Sequence, residues 1–563
     1  MLPLVQIKNL SISFDQNKKA VQAVKNISFN IPSGKITALI GESGSGKSVT
    51  ALSFLQLLPP QATIDGNIFF SADGLTAVDL LHSGTTSMQS LRGNEIAMIF
   101  QEPMTSLNPV HTCGAQVMEV LMLHKKINKK AAKLATIELF KKVELPLPEQ
   151  MIHRYPHQIS GGQKQRVMIA IAMSCNPAFL IADEPTTALD VRVQKNILLL
   201  LKKLQAENGM GILLITHDLS LVADVADEIA VMYKGELVEK GIAKEVLTKP
   251  QHLYTKALLA CKPSAAHKGK KLSVVADVLN GKLINESIPI NNTVPSSNLM
   301  VLKVENLQID FAAVKNIFGK VTEYFNAVND VSFTVNKNEI VGLVGESGCG
   351  KTTLGRAILG LIKPTSGNII FNNKNIAAFN DSEMRVVRKE LQIVFQDPYG
   401  SLNPRLSIGD AIVEPMRAHY SDMNKNSRKE KAIHLLEHVN MGADSFNRYP
   451  HQFSGGQRQR LCIARALALE PNFLIFDESV SALDVSVQAQ VLNLINDLKS
   501  QYNFTSIFIS HDLSVIHYIS DRVMVMHKGK IIEQNSADEI FYNPKENYTK
   551  ELLNAVSGIK FAL

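Results

Sequence analysis

The sequence predicts an α/β protein built from two tandem, homologous domains. One observation is a glycine-rich phosphate-binding pattern that occurs twice, GESGSGKS from Gly41 and GESGCGKT from Gly345. Another is a set of further strings that recur, such as RYPHQ from Arg154 and again from Arg448, 294 residues apart. Recurrence at a nearly fixed distance indicates duplicated folding units rather than one large core.

The offset between the copies is not constant. It is 304 residues at the glycine-rich strings and 295 at QEPMTSLNP (from Gln101) and QDPYGSLNP (from Gln396). The first copy therefore has nine extra residues between these points, which we expect within Ser71–Gly93.

The duplication sets the domain boundaries. Residues 1–262 and 300–563 are the predicted domains. Residues 263–299 are rich in Lys, Ser, Asn and Pro, apart from a short apolar patch around Leu272–Leu279, and are predicted to be a mostly flexible linker.

Composition excludes several classes of protein. The chain has 563 residues, of which 45% are hydrophobic and 20% charged, so it can bury sizeable cores and is neither disordered nor collagenous. A net charge of +7 is a mild excess, which favours a solvated basic surface over a nucleic-acid groove. The five cysteines form no CxxC pair, which argues against a zinc site or disulfide framework and fits a reducing cytosol. No leader peptide or membrane helix is predicted.

Each glycine-rich string lies between an apolar strand and a helix, which is the context that a phosphate-binding P-loop requires. Its backbone N–H groups surround phosphate, Lys47 or Lys351 neutralises it, and Ser48 or Thr352 binds Mg²⁺. A plain tight turn is the alternative, and two matches at equivalent positions argue against it. The predicted nucleotide-binding residues are Gly41, Glu42, Ser43, Gly44, Ser45, Gly46, Lys47, Ser48 and Val49, and Gly345, Glu346, Ser347, Gly348, Cys349, Gly350, Lys351, Thr352 and Thr353.

Two further apolar strands end in paired acids, in FLIADEP and FLIFDES. Adjacent side chains on a strand point in different directions, so the two acids can take different roles. We assign Asp183 and Asp477 to the Mg²⁺ shell, and Glu184 and Glu478 to activation of the attacking water as general bases. Solvated acids at a strand end are the structural alternative.

Strand-end residues of two other types complete the predicted catalytic set. His217 and His511 follow the strands of ILLITHDL and IFISHDL and are predicted to contact the γ-phosphate. Gln101 and Gln396 also follow apolar strands and could orient water or ligate the metal.

A second anion site is predicted in each copy, where ISGGQ and FSGGQ come directly before a helix. The alternative is an N-cap serine with glycines for close packing. The residues are Ser160, Gly161, Gly162 and Gln163, and Ser454, Gly455, Gly456 and Gln457.

In this order, the motifs resemble the ATP-binding domains of ABC transporters, and the resemblance covers both halves. It implies two P-loop NTPase domains, each with a mixed sheet core and a helical subdomain, that bind ATP and Mg²⁺ and hydrolyse ATP. It also implies head-to-tail pairing within the chain, in which the P-loop of one half and the SGGQ of the other enclose one ATP. Asp190 and Asp484 then resemble D-loops. Phe14 and Phe311 are candidates for stacking on adenine, with Tyr324 or Phe325 as replacements for the latter.

SLNP, RYPHQ and QHLYTKALL resemble the oligopeptide/dipeptide/nickel importer branch, in which glutathione and microcin C importers fuse both ATPases. The cysteine cluster common in that branch is missing, since only Cys261 occurs there, so no iron–sulfur cluster is predicted. Ser479 replaces the proline of the DEP string. Both catalytic acids are present, so two hydrolytic sites are expected.

The resemblance implies an ATPase that powers import of peptides or peptide-like solutes from the cytoplasmic face of the membrane. Separate permease subunits and an extracytoplasmic binding protein are the implied partners, without nucleic acid. The alternatives are an exporter ATPase, or a soluble twin ATPase acting on ribosomes or DNA; the latter lacks the expected charged interdomain arm. The cargo is not readable from this chain.

One difference between the copies gives a chemical prediction. Cys349 replaces Ser45 in the second P-loop, between backbone N–H groups and Lys351. We expect a lowered thiol pKa and preferential maleimide labelling that ATP blocks, with a packed, unreactive thiol as the alternative.

Overall fold

The computed structural model describes residues 2–16, 19–101, 106–186, 189–264, 267–281, 299–315, 321–481 and 483–554. The chain divides into two compact units. Unit 1 comprises residues 1–260 and 278–280, and unit 2 comprises residues 261–277 and 281–563.

Each unit contains a six-stranded mixed sheet. In unit 1 the strand order is β10-β9-β3-β8-β7-β6, with β10 as an antiparallel edge on five parallel strands. The central strands β3, β7 and β8 are buried along their whole length, as expected for parallel strands covered on both faces. Unit 2 repeats this order as β20-β19-β13-β18-β17-β16.

A smaller antiparallel sheet accompanies each mixed sheet, in the order β2-β1-β4-β5 or β12-β11-β14-β15. The strands of unit 1 are β1 Val5–Gln16, β2 Lys19–Ile31, β3 Ile36–Ile40, β4 Ala62–Phe70, β5 Val78–Asp79, β6 Ile96–Ile99, β7 Phe179–Asp183, β8 Gly211–Thr216, β9 Glu228–Tyr233 and β10 Glu236–Ile242. Those of unit 2 are β11 Met300–Lys315, β12 Val321–Asn336, β13 Ile340–Val344, β14 Ser366–Phe371, β15 Lys374–Asn375, β16 Leu391–Val394, β17 Phe473–Asp477, β18 Thr505–Ile509, β19 Arg522–His527 and β20 Lys530–Ser536.

Between β6 and β7, and again between β16 and β17, the chain forms a helical subdomain. In unit 1 its helices share one apolar core with the mixed sheet, in which Val117, Phe140 and Val167 are fully buried. The helices of unit 1 are α1 Lys47–Phe54, α2 Thr85–Leu91, α3 Cys113–Lys125, α4 Lys129–Lys142, α5 Pro148–Met151, α6 Gly161–Met173, α7 Val191–Asn208, α8 Leu219–Val225, α9 Ala243–Thr248 and α10 Leu253–Ala260. A short helix, α11 Val275–Leu279, follows. Those of unit 2 are α12 Lys351–Ile358, α13 Asp381–Val387, α14 Pro398–Ser401, α15 Ile408–His419, α16 Lys425–His438, α17 Gly455–Leu467, α18 Val485–Tyr502, α19 Leu513–Ile519, α20 Ala537–Tyr542 and α21 Asn547–Asn554.

The repeated architecture confirms the predicted fold class. The nine extra residues of the first copy divide among three connections: five between β4 and β5, three between α1 and β4, and one between β5 and β6. The first and third groups agree with the predicted insertion, whereas the three after α1 lie before it. Insertions of one to three residues in a turn leave no compositional signal. They can be located only by comparing the strand register of the two copies in the structure.

The stretch predicted as a flexible linker also differs from expectation. Its residues 263–277 belong to unit 2, where Leu272 is 1% exposed. The apolar patch around Leu272–Leu279 was the available signal, but the polar composition of the rest of the segment favoured a flexible linker.

The described residues contain no helix with the length and apolar character needed to cross a membrane.

Candidate nucleotide-binding sites

The P-loop of each copy has the backbone that its glycines permit. Gly46 and Gly350 lie directly before helices α1 and α12 with φ of 101° and 109°. A Cβ on Gly46 would come within 2.6 Å of the Ala23 carbonyl oxygen, so a side chain is excluded there. The N-cap residue of each helix is a glycine, which has no side chain to cap it. The N-cap position therefore supplies no oxygen that would compete with a phosphate for the first-turn N–H groups.

The P-loop lysines are held inside their loops. Lys47 Nζ donates hydrogen bonds to the carbonyl oxygens of Gly41 and Glu42, at 2.7 and 2.8 Å, and Lys351 does the same in the second copy. Both side chains are nearly buried. These bonds hold each ammonium group near the N-terminus of the helix, where its positive charge can stabilise a bound phosphate.

The first acid of each pair meets the P-loop hydroxyl. Ser48 Oγ donates to Asp183 Oδ1 at 3.2 Å, and Thr352 Oγ1 donates to Asp477 Oδ1 at 3.1 Å. Burial raises the pKa of Asp183 to about 6, although the Ser48 hydrogen bond and the Lys47 charge act against it. Burial raises the pKa of Asp477 as well.

These oxygen donors fit Mg²⁺. A hydroxyl and a buried carboxylate whose charge is poorly solvated are hard ligands that a small divalent cation stabilises. Within the described part of the chain, no group of three His, Cys, Asp or Glu could enclose a metal ion. Mg²⁺ is usually held by one or two carboxylates together with water and phosphate oxygens, which suits a site with one hydroxyl and one carboxylate.

The second acid of each pair contacts polar side chains other than the P-loop hydroxyl. Glu184 Oε2 accepts a hydrogen bond from Gln101 Nε2 at 3.2 Å and lies 3.3 Å from His217 Nδ1. Glu478 has the same partners, Gln396 at 2.9 Å and His511 at 3.4 Å. The structure thus brings three predicted residue types together in each copy, with the glutamine amide donating to the glutamate.

The backbone of these glutamates is unusual. Glu184 and Glu478 have φ of 46° and 47°, in the left-handed region that costs a residue with a Cβ free energy. Their N–H groups donate to the carbonyl oxygens of Ile215 and Ile509 on the adjacent strand, at 2.9 and 3.0 Å. These bonds extend the sheet and hold the strained backbone, which directs the carboxylate away from its aspartate neighbour.

Charge at Glu478 is favoured by its surroundings. Burial alone would raise the pKa of this carboxyl, but the hydrogen bond from His511 and the charges of His511 and Lys351 outweigh burial and lower the pKa. Glu478 is therefore ionised at neutral pH and can accept a proton.

The SGGQ segments form the N-termini of helices α6 and α17. Ser160 Oγ accepts a hydrogen bond from the Gln163 N–H at 3.3 Å, and Gln163 Oε1 accepts from the Ser160 N–H at 3.1 Å. Ser454 and Gln457 form the same capping box. The capping alternative thus accounts for the serine and glutamine in the structure. The hydroxyl hydrogen of each serine is not used by the cap and can still be donated.

The two glycines of SGGQ differ in what they contact. A Cβ on Gly162 would lie 2.8 Å from Val193 Cγ1, and one on Gly456 would lie 2.1 Å from Val487 Cγ1, so close helix packing explains these two. A Cβ on Gly161 would meet only ordinary contact, and Gly455 has open space around it. Packing within the unit therefore does not require the first glycine, which leaves room for close approach of a ligand.

The prediction that the thiol of Cys349 has a lowered pKa is wrong. Burial raises the pKa of this thiol, because it outweighs the Lys351 charge and the loop N–H groups that act to lower it. The side chain is 8% exposed. Proximity to a lysine was visible in the sequence, whereas burial under the loop was not.

One pair of residues in contact with the P-loops was missed. The hydroxyl of Tyr254 on α10 accepts a hydrogen bond from the Glu42 N–H at 3.0 Å, and Tyr548 on α21 accepts from the Glu346 N–H at 3.1 Å. Tyr254 is fully buried and stacks on Tyr233 with ring centroids 4.1 Å apart. The recurrence of YTK in both copies was the available signal.

The proposed adenine contacts are unequal in the two copies. Phe14 packs against the core of unit 1. Phe311 is 43% exposed and pairs across the sheet with Phe325, which is 56% exposed and adjacent to the exposed Tyr324. Aromatic surface available for stacking therefore lies in the second copy, and the stacking role stays a prediction.

Fold and site define the class of protein. The ABC transporter family model matches residues 24–187 and 328–481, and the model for the oligopeptide/dipeptide transporter C-terminal region matches residues 238–280. The chain belongs to the ABC transporter family, as a double ATP-binding, ATP-hydrolysing member of the oligopeptide-type branch. This confirms the resemblance stated from the motifs.

Named relatives cover nearly the whole chain. The glutathione import ATP-binding protein GsiA of Escherichia coli (strain K12) is 44% identical over 98% of this chain and 89% of its own length. The protein of the same name from Pectobacterium atrosepticum is 43% identical over 99% of this chain and 90% of its own length. Among solved structures, the dimeric post-hydrolysis ATP-binding cassette MJ0796 bound to ADP and Pi is 26% identical, with a TM-score of 0.38, over 42% of this chain and 98% of that chain.

Proposed function

We propose that the chain is the ATPase subunit of an importer for peptides or peptide-like solutes, with glutathione as the first cargo to test. The observation that carries this is the pair of complete sites, each with a P-loop, a hydroxyl–aspartate pair and a glutamate held by glutamine and histidine. Support for import comes from the names of the relatives and from the match to the oligopeptide/dipeptide C-terminal region.

At each site the chain's own residues can perform distinct tasks. The P-loop N–H groups and Lys47 or Lys351 bind the phosphates, and Ser48 with Asp183, or Thr352 with Asp477, would hold Mg²⁺, which supplies charge neutralisation when bound. Glu184 or Glu478 accepts the proton of the attacking water.

The SGGQ helices supply the remaining phosphate contact in this proposal. Each serine retains a hydroxyl hydrogen, and the first glycine of each string leaves the approach open. By the family pattern, Ser160 serves the nucleotide on Lys351, and Ser454 serves the nucleotide on Lys47. Hydrolysis then removes the γ-phosphate that holds the halves closed.

A permease is proposed to dock beside the glutamine. In unit 2 a groove of about 400 Å³ lies between β16, α15 and α17 and is lined by Phe395, Pro415 and Cys462 among others. Phe395 is 36% exposed and directly precedes Gln396, whose amide holds Glu478. A permease segment in this groove would therefore sense the hydrogen bond at the catalytic carboxylate. In this proposal the chain lies at the cytoplasmic face of the membrane, and a binding protein delivers the solute on the other side.

Uptake in cells tests this function. A strain lacking the gene should lose accumulation of labelled glutathione or of labelled dipeptide, and the intact gene should restore it. The Glu184→Gln/Glu478→Gln double variant should not restore it, since the machinery would bind ATP without turnover. Uptake unchanged by the deletion, together with cosedimentation of the protein with ribosomes, would favour the soluble twin ATPase instead.

A further inference from the structure

The chain directly after helix α10 has a defined binding surface. Helix α10 of unit 1 ends at Ala260, and residues 261–277, here called the anchor segment, belong to unit 2. Cys261, Leu272 and Val275 of the anchor segment are 0%, 1% and 4% exposed. Burial of this extent is unlike that of a solvated tether.

The backbone of the anchor segment is clamped by side chains of unit 2. Asn493 on α18 accepts from the Leu272 N–H with Oδ1 and donates to the Leu272 carbonyl oxygen with Nδ2, both at 2.9 Å. Tyr518 on α19 donates to the Lys270 carbonyl oxygen at 2.8 Å. A carboxamide that satisfies both backbone groups of one residue selects a single register, as strand pairing does.

Two ion pairs flank this clamp. Lys268 Nζ lies 2.7 Å from Asp538 Oδ1, and Lys271 Nζ lies 2.7 Å from Asp497 Oδ1. Asp538 also lies 3.1 Å from Nε2 of the buried His517. Partly exposed ion pairs of this kind each contribute little free energy. The positive charges of the anchor segment nevertheless favour a surface that carries negative charges at matching positions.

The first copy lacks this surface although its helices are equivalent. At the positions matching Asn493, Asp497, Tyr518 and Asp538, it has Leu199, Lys203, Asp224 and Lys244. Both acids that meet anchor lysines are thus lysines in the first copy, and Leu199 is 46% exposed. Because the ATPase core is common to both copies, folding of that core does not explain the second set of residues.

We propose that the anchor segment is a built-in ligand for the face formed by α18, α19 and α20, and that it keeps the end of α10 attached to unit 2 whether or not nucleotide is bound. Attachment at Lys268 and Leu272, within twelve residues of Ala260, replaces a free connection of nearly 40 residues, which raises the effective concentration of one unit for the other. This role extends beyond transport and holds whatever the cargo is.

Cleavage of the full chain tests the proposal. A protease recognition sequence is inserted after residue 290, and the purified protein is cut to completion without nucleotide and with a chelator. Size-exclusion chromatography at falling concentration then measures whether the fragments stay together. We expect co-elution for the otherwise unchanged chain and separation for Leu272→Asp. Asn493→Leu should weaken association about tenfold or more, because it leaves a buried N–H and carbonyl group without partners.

The repeat supplies a matched control. Leu199→Asn makes the reverse substitution at the equivalent exposed position of the first copy and should leave association unchanged. Asn493→Leu installs a residue that the same helix already carries in the first copy, so it decides the question even if Leu272→Asp does not fold. Separation of the fragments of the otherwise unchanged chain would overturn the proposal. So would fragments of the Leu272→Asp and Asn493→Leu variants that associate as tightly as those of the unchanged chain.

Discussion

Replacing Asp183 by asparagine should stabilise the nucleotide-free protein at neutral pH. Asp183 is 4% exposed, and burial raises its pKa from 3.8 to about 6. Because the raised pKa favours the neutral form, its stabilising effect is complete below pH 3.8 and is lost as the pH rises through about 6. Above that pH the ionised carboxylate costs about 3 kcal/mol relative to a solvated one. Asparagine carries no charge and keeps an oxygen that accepts the Ser48 hydrogen bond.

The assay follows hydrogen exchange of peptides from strand β7 between pH 5 and 8, with a chelator present and intrinsic exchange rates corrected for pH. Asp183→Asn should slow exchange because it raises the free energy of unfolding of unit 1. The increase should approach about 3 kcal/mol at pH 7.5 and diminish below pH 6. Asp477→Asn is the matched control, since it should act on β17 and not on β7. With Mg²⁺ and ATP the sign should reverse, because the variant lacks the carboxylate that is proposed to hold Mg²⁺. An Asp183→Asn protein that is less stable at pH 7.5, or whose stability difference does not vary with pH, would refute the assigned burial cost.

Three other predictions concern the P-loops and the SGGQ strings. Tyr254→Phe should weaken ATP binding at the first P-loop up to about tenfold, because it removes the acceptor of a buried N–H. Tyr548→Phe should do the same only at the second P-loop. Equal effects of either variant on both P-loops in equilibrium binding would contradict this. Maleimide should label the partly exposed Cys175 before the buried Cys349, as mass spectrometry of a time course would show, and rapid labelling of Cys349 would contradict its burial. Ser160→Ala should reduce ATP photocrosslinking at Lys351 more than at the first P-loop, and the opposite preference would rule out exchange of SGGQ strings between halves.

Local patterns were enough to predict many of the residues that the structure brings together at each candidate site. Lys47 and Ser48 could be assigned because the strand, glycine loop and helix are consecutive in sequence, and because glycine is needed where φ is positive. Asp183 and Glu184 could be given different roles because neighbouring side chains on a strand diverge. The structure shows the aspartate on the P-loop hydroxyl and the glutamate on glutamine and histidine.

The features that were missed depend on contacts distant in sequence. Tyr254 reaches the Glu42 N–H across 212 residues, so only the fold connects the YTK string to the P-loop. The pKa of Cys349 depends on how deeply the loop is buried, which the neighbouring lysine does not reveal. The contact of Leu272 with Asn493 likewise pairs a polar-looking linker with a helix 221 residues away.

Steady-state ATP hydrolysis by Glu184→Gln and Glu478→Gln, measured beside retained ATP, tests the central claim most directly. The amide cannot take the proton from water, so each single variant should hydrolyse ATP far more slowly than the unchanged protein. The double variant should retain ATP without turnover. Hydrolysis at the unchanged rate by either single variant would contradict the claim that both carboxylates are catalytic bases.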